Sequence, residues 1–468
     1  MKIITSQILK DDFELKILER GGIVKEVSRD FIIDAVGHVK TYLINTHNVR
    51  PGQKVVLATT HWPDYLITFL AVVELGLSFV VTDYPRLGNS FSVHKKLSLY
   101  GSIDHVIGPS DDLWNHFPES NCIKLSLLEC FTSTGEHKDT IWANEESILI
   151  YSTSSGSTGT PKVIKHNHRF FSELLHRNAK IYGLSNEDRC LHNKGLHHGS
   201  VTGVFFLPTL KYCSYHYYTD LFNNSCPPSE WVDWIQKEKM TRIFLMTKSL
   251  DEFCEHVNID NCQHTDLNLY VLSYVDKQHI KNFYKIWSIF GCTETSGPLF
   301  LPCIDQNIDP EKFDRCMMGS VLDDFYKLSL DNGILQVTMP TGEIISTGDK
   351  FEVRNEIWHH LGRDTLYRLK NGTIFFDVLV ECIESYTKNY HQDFFDVVID
   401  KEEDSIYIRT NEALDLESLN RFIETEIVTN SENQKNYVVH KQLIGKREDF
   451  ITGIKFDPEE VRLICRKL

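Results

Sequence analysis

The chain lacks several features that would decide its class at once. Its 12 cysteines run from Cys122 to Cys465 without a single C-x-x-C pair, so neither a zinc ribbon nor a thioredoxin-type redox motif is written in it. They read as free thiols of a reducing compartment. No run of 18 apolar residues occurs, and Met1-Lys-Ile-Ile-Thr-Ser-Gln-Ile-Leu-Lys-Asp-Asp-Phe has no sustained apolar stretch ahead of its charges. These absences speak against a membrane span and a secretory leader, and the expectation is a cytoplasmic protein. Positive charge is also short, since 49 Lys and Arg stand against 65 Asp and Glu for a net charge of -16. Such an acidic balance favours solubility and argues against nucleic acid or anionic membrane as a partner. No repeat of fixed period stands out, and the Gly-x-x-x-x-Gly-Lys-Ser/Thr spacing of a P-loop ATPase or kinase is missing.

What remains is a chain of 468 residues, 41% apolar and 24% charged, ordinary for a globular protein and long enough for two or three domains around a large core. Its densest chemistry lies in Tyr151-Ser-Thr-Ser-Ser-Gly-Ser-Thr-Gly-Thr-Pro-Lys162. The apolar run Ser147-Ile-Leu-Ile150 ahead of it reads as a buried strand. The loop then offers two glycines, seven hydroxyl side chains between Ser152 and Thr160, and a terminal lysine. Glycines let several backbone N–H groups face one anion, hydroxyls add donors and Lys162 adds a positive charge, so the composition is one that grips phosphate. A flexible Ser/Gly linker has similar composition. Position directly after a strand, and the closing Pro-Lys, favour the phosphate reading.

Around this loop the chain reads as α/β. Residues 28–48 carry Phe31, Ile32, Val36, Val39, Tyr42 and Leu43 at helical spacing, ended by Pro51-Gly52. Lys54-Val-Val-Leu-Ala58 is a short strand, Asp64 caps a helix that Gly76 stops, and Ser78-Phe-Val-Val-Thr82 is the next strand. Strand, helix and strand in that order predict a parallel crossover unit. The pattern recurs at His105-Val-Ile-Gly108, Arg242-Ile-Phe-Leu-Met246, Leu269-Tyr-Val-Leu272 and Ile286-Trp-Ser-Ile-Phe290. Near residue 317 short strands with turn signals begin, predicting a small antiparallel or barrel-like unit over about 317–363. A hairpin at 367–376, a helix at 379–386, the strands Phe395-Asp-Val-Val-Ile399 and Ser405-Ile-Tyr-Ile-Arg409, and a helix at 416–427 capped by Asp415 follow. That segment is long enough to fold as a domain of its own.

Four further stretches suit a nucleotide site. Phe290-Gly-Cys-Thr-Glu-Thr-Ser-Gly297 follows a predicted strand, with Glu294 able to hold Mg2+ and Thr293 able to donate to a phosphate. Ser346-Thr-Gly-Asp349 presents a carboxylate on a glycine turn, suited to bidentate bonding with ribose hydroxyls. Leu361-Gly-Arg-Asp364 supplies a cation and an acid at the domain boundary, and Ile451-Thr-Gly-Ile-Lys455 lies near the end of the chain. Singly each is weak, because a Thr-Gly-Asp turn is more often only a turn; their order carries the information.

In that order and spacing the motifs resemble the adenylate-forming (ANL) superfamily of acyl- and aryl-CoA synthetases, luciferases and peptide-synthetase adenylation domains. The resemblance covers almost the whole chain. It implies a large N-terminal domain of layered α/β subdomains plus a distorted β-barrel, residues 1–363, and a small mobile α+β domain, residues 364–468, swinging about a hinge at Asp364. It further implies that Ser154, Ser155, Gly156, Ser157, Thr158, Gly159 and Lys162 cradle the departing phosphates of ATP, that Thr293 contacts the α-phosphate and that Glu294 holds Mg2+. Asp349 and Arg363 would hold the ribose, and Lys455, with Gly445-Lys446 as the competing candidate, would bridge the substrate carboxylate and the phosphate.

Several positions depart from the family pattern. Val163 replaces the usual glycine after Pro-Lys, and Leu272-Ser-Tyr-Val275 replaces a glycine-rich turn, where Tyr274 would narrow the acyl pocket. Gly453-Ile-Lys455 carries one residue more than the family's Gly-Lys, and the segment between Val337 and Ser346 is short. His197 and His198, in Gly195-Leu-His-His-Gly-Ser200, fall where acyl- and aryl-CoA synthetases carry an acyl-pocket histidine, and no aspartate for an α-amino group is visible there. His359-His360 reads only as a structural or surface pair, and the aromatic run 212–218 as sheet packing. The implied activity is ATP- and Mg2+-dependent activation of an aliphatic or aromatic carboxylic acid, not an amino acid, followed by transfer to the thiol of CoA or of a carrier protein's phosphopantetheine in trans. The alternatives are an amide-forming ligase that passes the acyl group to an amine, and a degenerate nucleotide- or acyl-binding regulatory protein.

Overall fold

The computed structural model of the chain describes residues 2–19, 22–58, 64–81, 97–108, 120–125, 130–131, 136–153, 163–192, 202–219, 230–257, 266–272, 275, 279, 285–305, 307–309, 313–314, 316–363, 366–369, 372–375, 383, 386–387, 394–400, 405–410, 413–428 and 439–444. Two mostly parallel sheets dominate them. The smaller runs Asn121–Lys124, His105–Gly108, Lys54–Leu57, Ser78–Val80, Ile148–Thr153, Val163–Asn167, and only its last pair is antiparallel. The larger has eight strands and is parallel from Glu14–Glu19 through Tyr215–Thr219, Arg189–His192, Arg242–Met246 and Asn268–Leu272 to Lys285–Ser288, with an antiparallel strand on each edge. The predicted crossover through Asp64–Glu74 is present, its flanking strands paired in parallel.

Local chemistry explains the helices. Ser28 accepts a hydrogen bond from the Phe31 N–H at 3.3 Å and starts Arg29–His47, whose Ile32, Val36, Val39 and Leu43 form one buried stripe; Asn48, at φ 51°, ends it. Asp64–Glu74 is buried on every side from Tyr65 onward, as a helix enclosed by other elements must be. Its end is set by Gly76, whose φ of +64° disfavours any side chain, and an added Cβ would stand 3.2 Å from the Ala143 backbone. The main core cluster takes Val55, Leu57 and Phe79 from one sheet and Leu15, Tyr218, Phe244 and Tyr270 from the other, with Leu70, Leu174 and Phe205 between them. Lys40 and Glu74 form a buried ion pair at 2.5 Å there, and Glu74 also accepts the Thr5 N–H at 2.6 Å, tying the N-terminal segment to the core. Breaking one side of such a pair costs about 3 to 5 kcal/mol. The aromatic run near 212–218 packs as expected, with Tyr217 and Tyr218 buried in the larger sheet.

The barrel-like unit consists of a five-stranded antiparallel sheet in the order Met317–Gly319, Ile357–Arg363, Ile344–Arg354, Ile334–Thr338, Lys327–Asp331. Arg177 anchors this sheet to the layers through Nε, which donates to both Asp323 carboxylate oxygens at 3.0 and 2.8 Å, while the guanidinium lies over Tyr326, 4.8 Å from its ring centre. One expectation is corrected here. Ser346-Thr-Gly-Asp349 is not a turn but lies inside the strand Ile344–Arg354. Gly348 takes φ +74°, and the ladders slip on both sides of this point, between Ile334 and Gln336 and between Asp349 and Phe351. The glycine is therefore the site of a bulge, which re-aims the next side chain while pairing continues.

Beyond residue 365 the predicted hairpin forms from Leu366–Leu369 and Gly372–Phe375. Phe394–Asp400, Ser405–Thr410 and Val439–Ile444 make a three-stranded sheet, and Asp415 caps Leu416–Val428 by accepting the Glu417 and Ser418 N–H groups at 3.0 and 3.2 Å. Of the helix expected at 379–386 only Ile383 and Tyr386 are among the described residues. All eight described cysteines are free thiols. Among the described residues no helix is long and apolar enough to cross a membrane.

Candidate active site

The Ser/Thr/Gly stretch lies between two antiparallel strands. Ile148–Thr153 leads into it and Val163–Asn167 leads out, with Thr153 paired to Val163 in the ladder. Val163, the departure from glycine, is thus the first residue of a strand. Ser154, Ser155, Gly156, Ser157, Thr158, Gly159 and Lys162 lie outside the described residues, as do His197, His198, Tyr274, Asp364, Lys446 and Lys455.

The turn that carries Thr293 and Glu294 is braced from several sides. Phe290 forms an isolated bridge to Phe300, and between them the chain doubles back so tightly that a Cβ on Gly291 would meet the Gly297 carbonyl oxygen at 2.5 Å. Thr295 Oγ1 accepts from the Cys292 N–H at 3.3 Å and lies 2.9 Å from the Cys292 and Gly297 carbonyls. Ser296, at φ 46°, donates through its hydroxyl to the Thr293 carbonyl at 3.2 Å. Tyr326 donates to the Thr295 carbonyl at 2.6 Å, and a Cβ on Gly297 would strike Leu174 Cδ1 at 2.8 Å. Thr295 to Phe300 are buried while Thr293 and Glu294 remain partly exposed. A hydroxyl and a carboxylate are therefore carried on a braced backbone at partly exposed positions, a condition for meeting an incoming phosphate or cation.

His166 lies under the same turn. Its imidazole stacks on Phe170, ring centres 4.3 Å apart, and hydrogen-bonds the backbone of Thr293 and Glu294. Burial drives its pKa down to about 4 against the opposing pull of those bonds, so it is neutral at pH 7. Burial, with the Glu294 charge adding to it, pushes the Cys292 thiol up to about 12. That thiol is protonated at neutral pH and is no nucleophile.

Asp349 and Arg363 are cross-strand partners, directly opposite in one ladder. Sequence separation hid this pairing; antiparallel register produces it. The Asp349 N–H donates to Thr347 Oγ1 at 3.1 Å and its carboxylate meets His360 Nε2 at 3.2 Å. His360 in turn lies 5.0 Å, ring to ring, from Phe290, the residue that opens the Thr293–Glu294 turn. Sequence reading missed His166, His360, Tyr326 and the Arg177–Asp323 anchor. For the histidines a signal existed: alternation along a strand sends His359 to Asp314 at 3.3 Å and its neighbour inward.

Among the described residues no group of three His, Cys, Asp or Glu could hold a metal ion. A lone, partly exposed Glu294 nevertheless fits Mg2+, which binds through one or two carboxylates and takes its other oxygens from phosphates and water.

Two mostly parallel sheets enclosing helices, an antiparallel sheet and a small C-terminal segment define an α/β adenylation fold. The profile described as "AMP-binding enzyme" matches residues 103–349. The chain belongs to this family, within the adenylate-forming ANL superfamily. Among curated proteins it is similar to enterobactin synthase component E of Escherichia coli (strain K12), 21% identical over 184 residues that cover 35% of this chain. The match spans only 34% of that relative's length. Among solved structures it is similar to O-succinylbenzoate coenzyme A synthetase of Bacillus subtilis in complex with ATP and magnesium, with a TM-score of 0.68, 13% identity and coverage of 93% of this chain and 94% of that one. A second likeness is to McyG A-PCP complexed with phenylalanyl-adenylate, with a TM-score of 0.69, 14% identity and coverage of 96% and 92%.

Proposed function

We propose that the protein activates an aliphatic or aromatic carboxylic acid with ATP and hands the acyl group to a thiol, that of CoA or of a carrier protein's phosphopantetheine in trans. The observation that carries this reading is the Asp349–Arg363 pair, joined through His360 and Phe290 to the turn of Thr293 and Glu294. A ribose-type acceptor and a phosphate-type donor are thus linked through two rings, as adjoining parts of a nucleotide require. Relatives of the same fold include a coenzyme A synthetase and an A-PCP structure, which supports a thiol as acceptor.

In the reaction a carboxylate oxygen attacks the α-phosphorus of ATP, the bond from that phosphorus to the bridging oxygen breaks, and pyrophosphate leaves. Attack of one anion on another is slow in water, so the protein must neutralise charge and align the reactants. Ser154, Ser155, Gly156, Ser157, Thr158, Gly159 and Lys162 take the departing phosphates, and the Thr293 hydroxyl donates to the α-phosphate. Bound at Glu294, Mg2+ supplies positive charge to the phosphate oxygens. Asp349 accepts from the ribose hydroxyls, with Arg363 beside it, and Lys455 bridges carboxylate and phosphate. The 364–468 unit then turns about Asp364 so that the thiol reaches the acyl carbon, expelling AMP. His197, His198 and Tyr274 shape the pocket for an uncharged acyl chain.

The test is carboxylate-dependent ATP–pyrophosphate exchange over short, long and aromatic acids, followed by product analysis with CoA and with a panel of amines. Exchange with at least one acid and a thioester product are expected. No exchange with any acid, from a protein that still unfolds cooperatively, refutes activation; amide products alone refute the thiol acceptor.

A further inference from the structure

We propose that His360 is a positioning residue that holds the Asp349 carboxylate in the orientation needed to receive a nucleotide's ribose. The inference rests on Asp349 being the ribose acceptor. His360 and Asp349 sit on neighbouring antiparallel strands, their side chains only 6% and 4% exposed, with Nε2 to Oδ1 at 3.2 Å. A carboxylate buried this deeply has to be hydrogen-bonded, and the imidazole N–H provides a donor. The ring is itself held, lying 4.9 Å from Phe351 and 5.0 Å from Phe290, ring centre to ring centre.

A carboxylate swivels about its last torsion, whose wells are broad. Recognition of two vicinal hydroxyls requires both oxygens in one plane, so a swivelling acid spreads its acceptors over geometries that miss one of them. Here the backbone is fixed by the Gly348 bulge and by the Asp349 N–H to Thr347 bond. The His360 contact to Oδ1 at 3.2 Å then restrains the side chain's own torsions. An imidazole fills one of roughly four acceptor positions on a carboxylate and orients those that remain. Phe290 then ties the same ring to the turn of Thr293 and Glu294, so the acceptor for ribose and the donor for phosphate are held in register by one contact.

The test uses the full chain and equilibrium binding of Mg2+-ATP, 2′-deoxy-ATP and 3′-deoxy-ATP, with ATP KM and kcat from pyrophosphate exchange alongside. The wild-type protein should prefer ATP over at least one deoxy analogue by roughly tenfold or more, the value of one hydrogen bond to a charged group. In His360→Phe, which keeps a ring between Phe290 and Phe351, ATP binding should fall about tenfold and the deoxy analogues hardly at all, so the preference collapses. KM for ATP should rise more than kcat falls. His360→Gln, whose amide nitrogen reaches the place of Nε2, should restore the preference, and the shorter His360→Asn should not. Equal losses for all three nucleotides, an unchanged preference in His360→Phe, or no preference in wild type each overturn the proposal. If His360→Phe does not fold, the Gln and Asn variants decide, equal preference in both overturning it. Ribose preference that depends on His360, without exchange for any acid, leaves this inference standing while the proposed activity falls. Normal exchange with a preference indifferent to residue 360 does the reverse.

Discussion

Acid should unfold this protein well above the range in which its carboxylates titrate, because it buries neutral histidines. His166, His168 and His216 are each pushed from 6.5 to about 4, chiefly by burial. His192 moves in the same direction, and its Nε2 meets His216 Nδ1 at 3.1 Å while the His216 Nε2–H donates to the Cys213 carbonyl at 3.1 Å. A second proton has no place in that chain. The folded state binds fewer protons than the unfolded state between about pH 4 and pH 6.5, so the stabilisation is complete above 6.5 and is lost as the pH falls through that window. For one such histidine the loss from pH 7 to pH 5 is about 2 kcal/mol, and for three about 6 kcal/mol, comparable with the whole stability of a typical domain. Urea unfolding followed by tryptophan fluorescence between pH 5 and 8 should give a stability that drops steeply below pH 6. His166→Met removes one titrating group and should flatten the slope below pH 6 by about 1.4 kcal/mol per pH unit, whatever it does at neutral pH. A stability that is flat from pH 7.5 to 5, or a slope unchanged in His166→Met and in a matching His216 variant, would refute the reasoning.

Two shorter predictions concern the chemistry. Lys455→Ala should lower pyrophosphate exchange by about 10² to 10³-fold and thioester formation from a supplied acyl-adenylate much less; intact exchange removes the lysine from the site. Gly291→Ala forces a Cβ to within 2.5 Å of the Gly297 oxygen, so the turn must open and shift Thr293. Exchange should fall on the order of 10²-fold, the usual consequence of a misplacement near 1 Å, and a variant with wild-type exchange and melting temperature shows that the turn has slack.

Most of the α/β layering was legible because its causes lie within a few residues. Val55 and Val56 read as a buried strand, Pro51-Gly52 and Gly76 as stops, and parallel crossover follows from strand, helix, strand. The bulge at Gly348 was not legible, since a Thr-Gly-Asp stretch serves a turn or a bulged strand equally until partner strands are known. His360 was read with His359 as one bland pair; alternation along a strand sends two such neighbours to opposite faces, but only the packed sheet decides which of them is buried. Tyr326 and Arg177 carried no motif; their roles come from bonds to Thr295 and Asp323, far away in the chain.

What the sequence by itself determined about this protein is the order of its elements; its local patterns also supplied the candidates for a nucleotide site, Ser154 to Lys162, Thr293, Glu294, Asp349 and Arg363. Tertiary structure alone decided that Asp349 faces Arg363 across a ladder, that His360 reaches that carboxylate, and that His166 lies beneath the turn of Thr293 and Glu294. The physical reason is range. Periodicity, caps and glycine conformations are set by near neighbours, whereas register and burial arise only when distant segments close on one another.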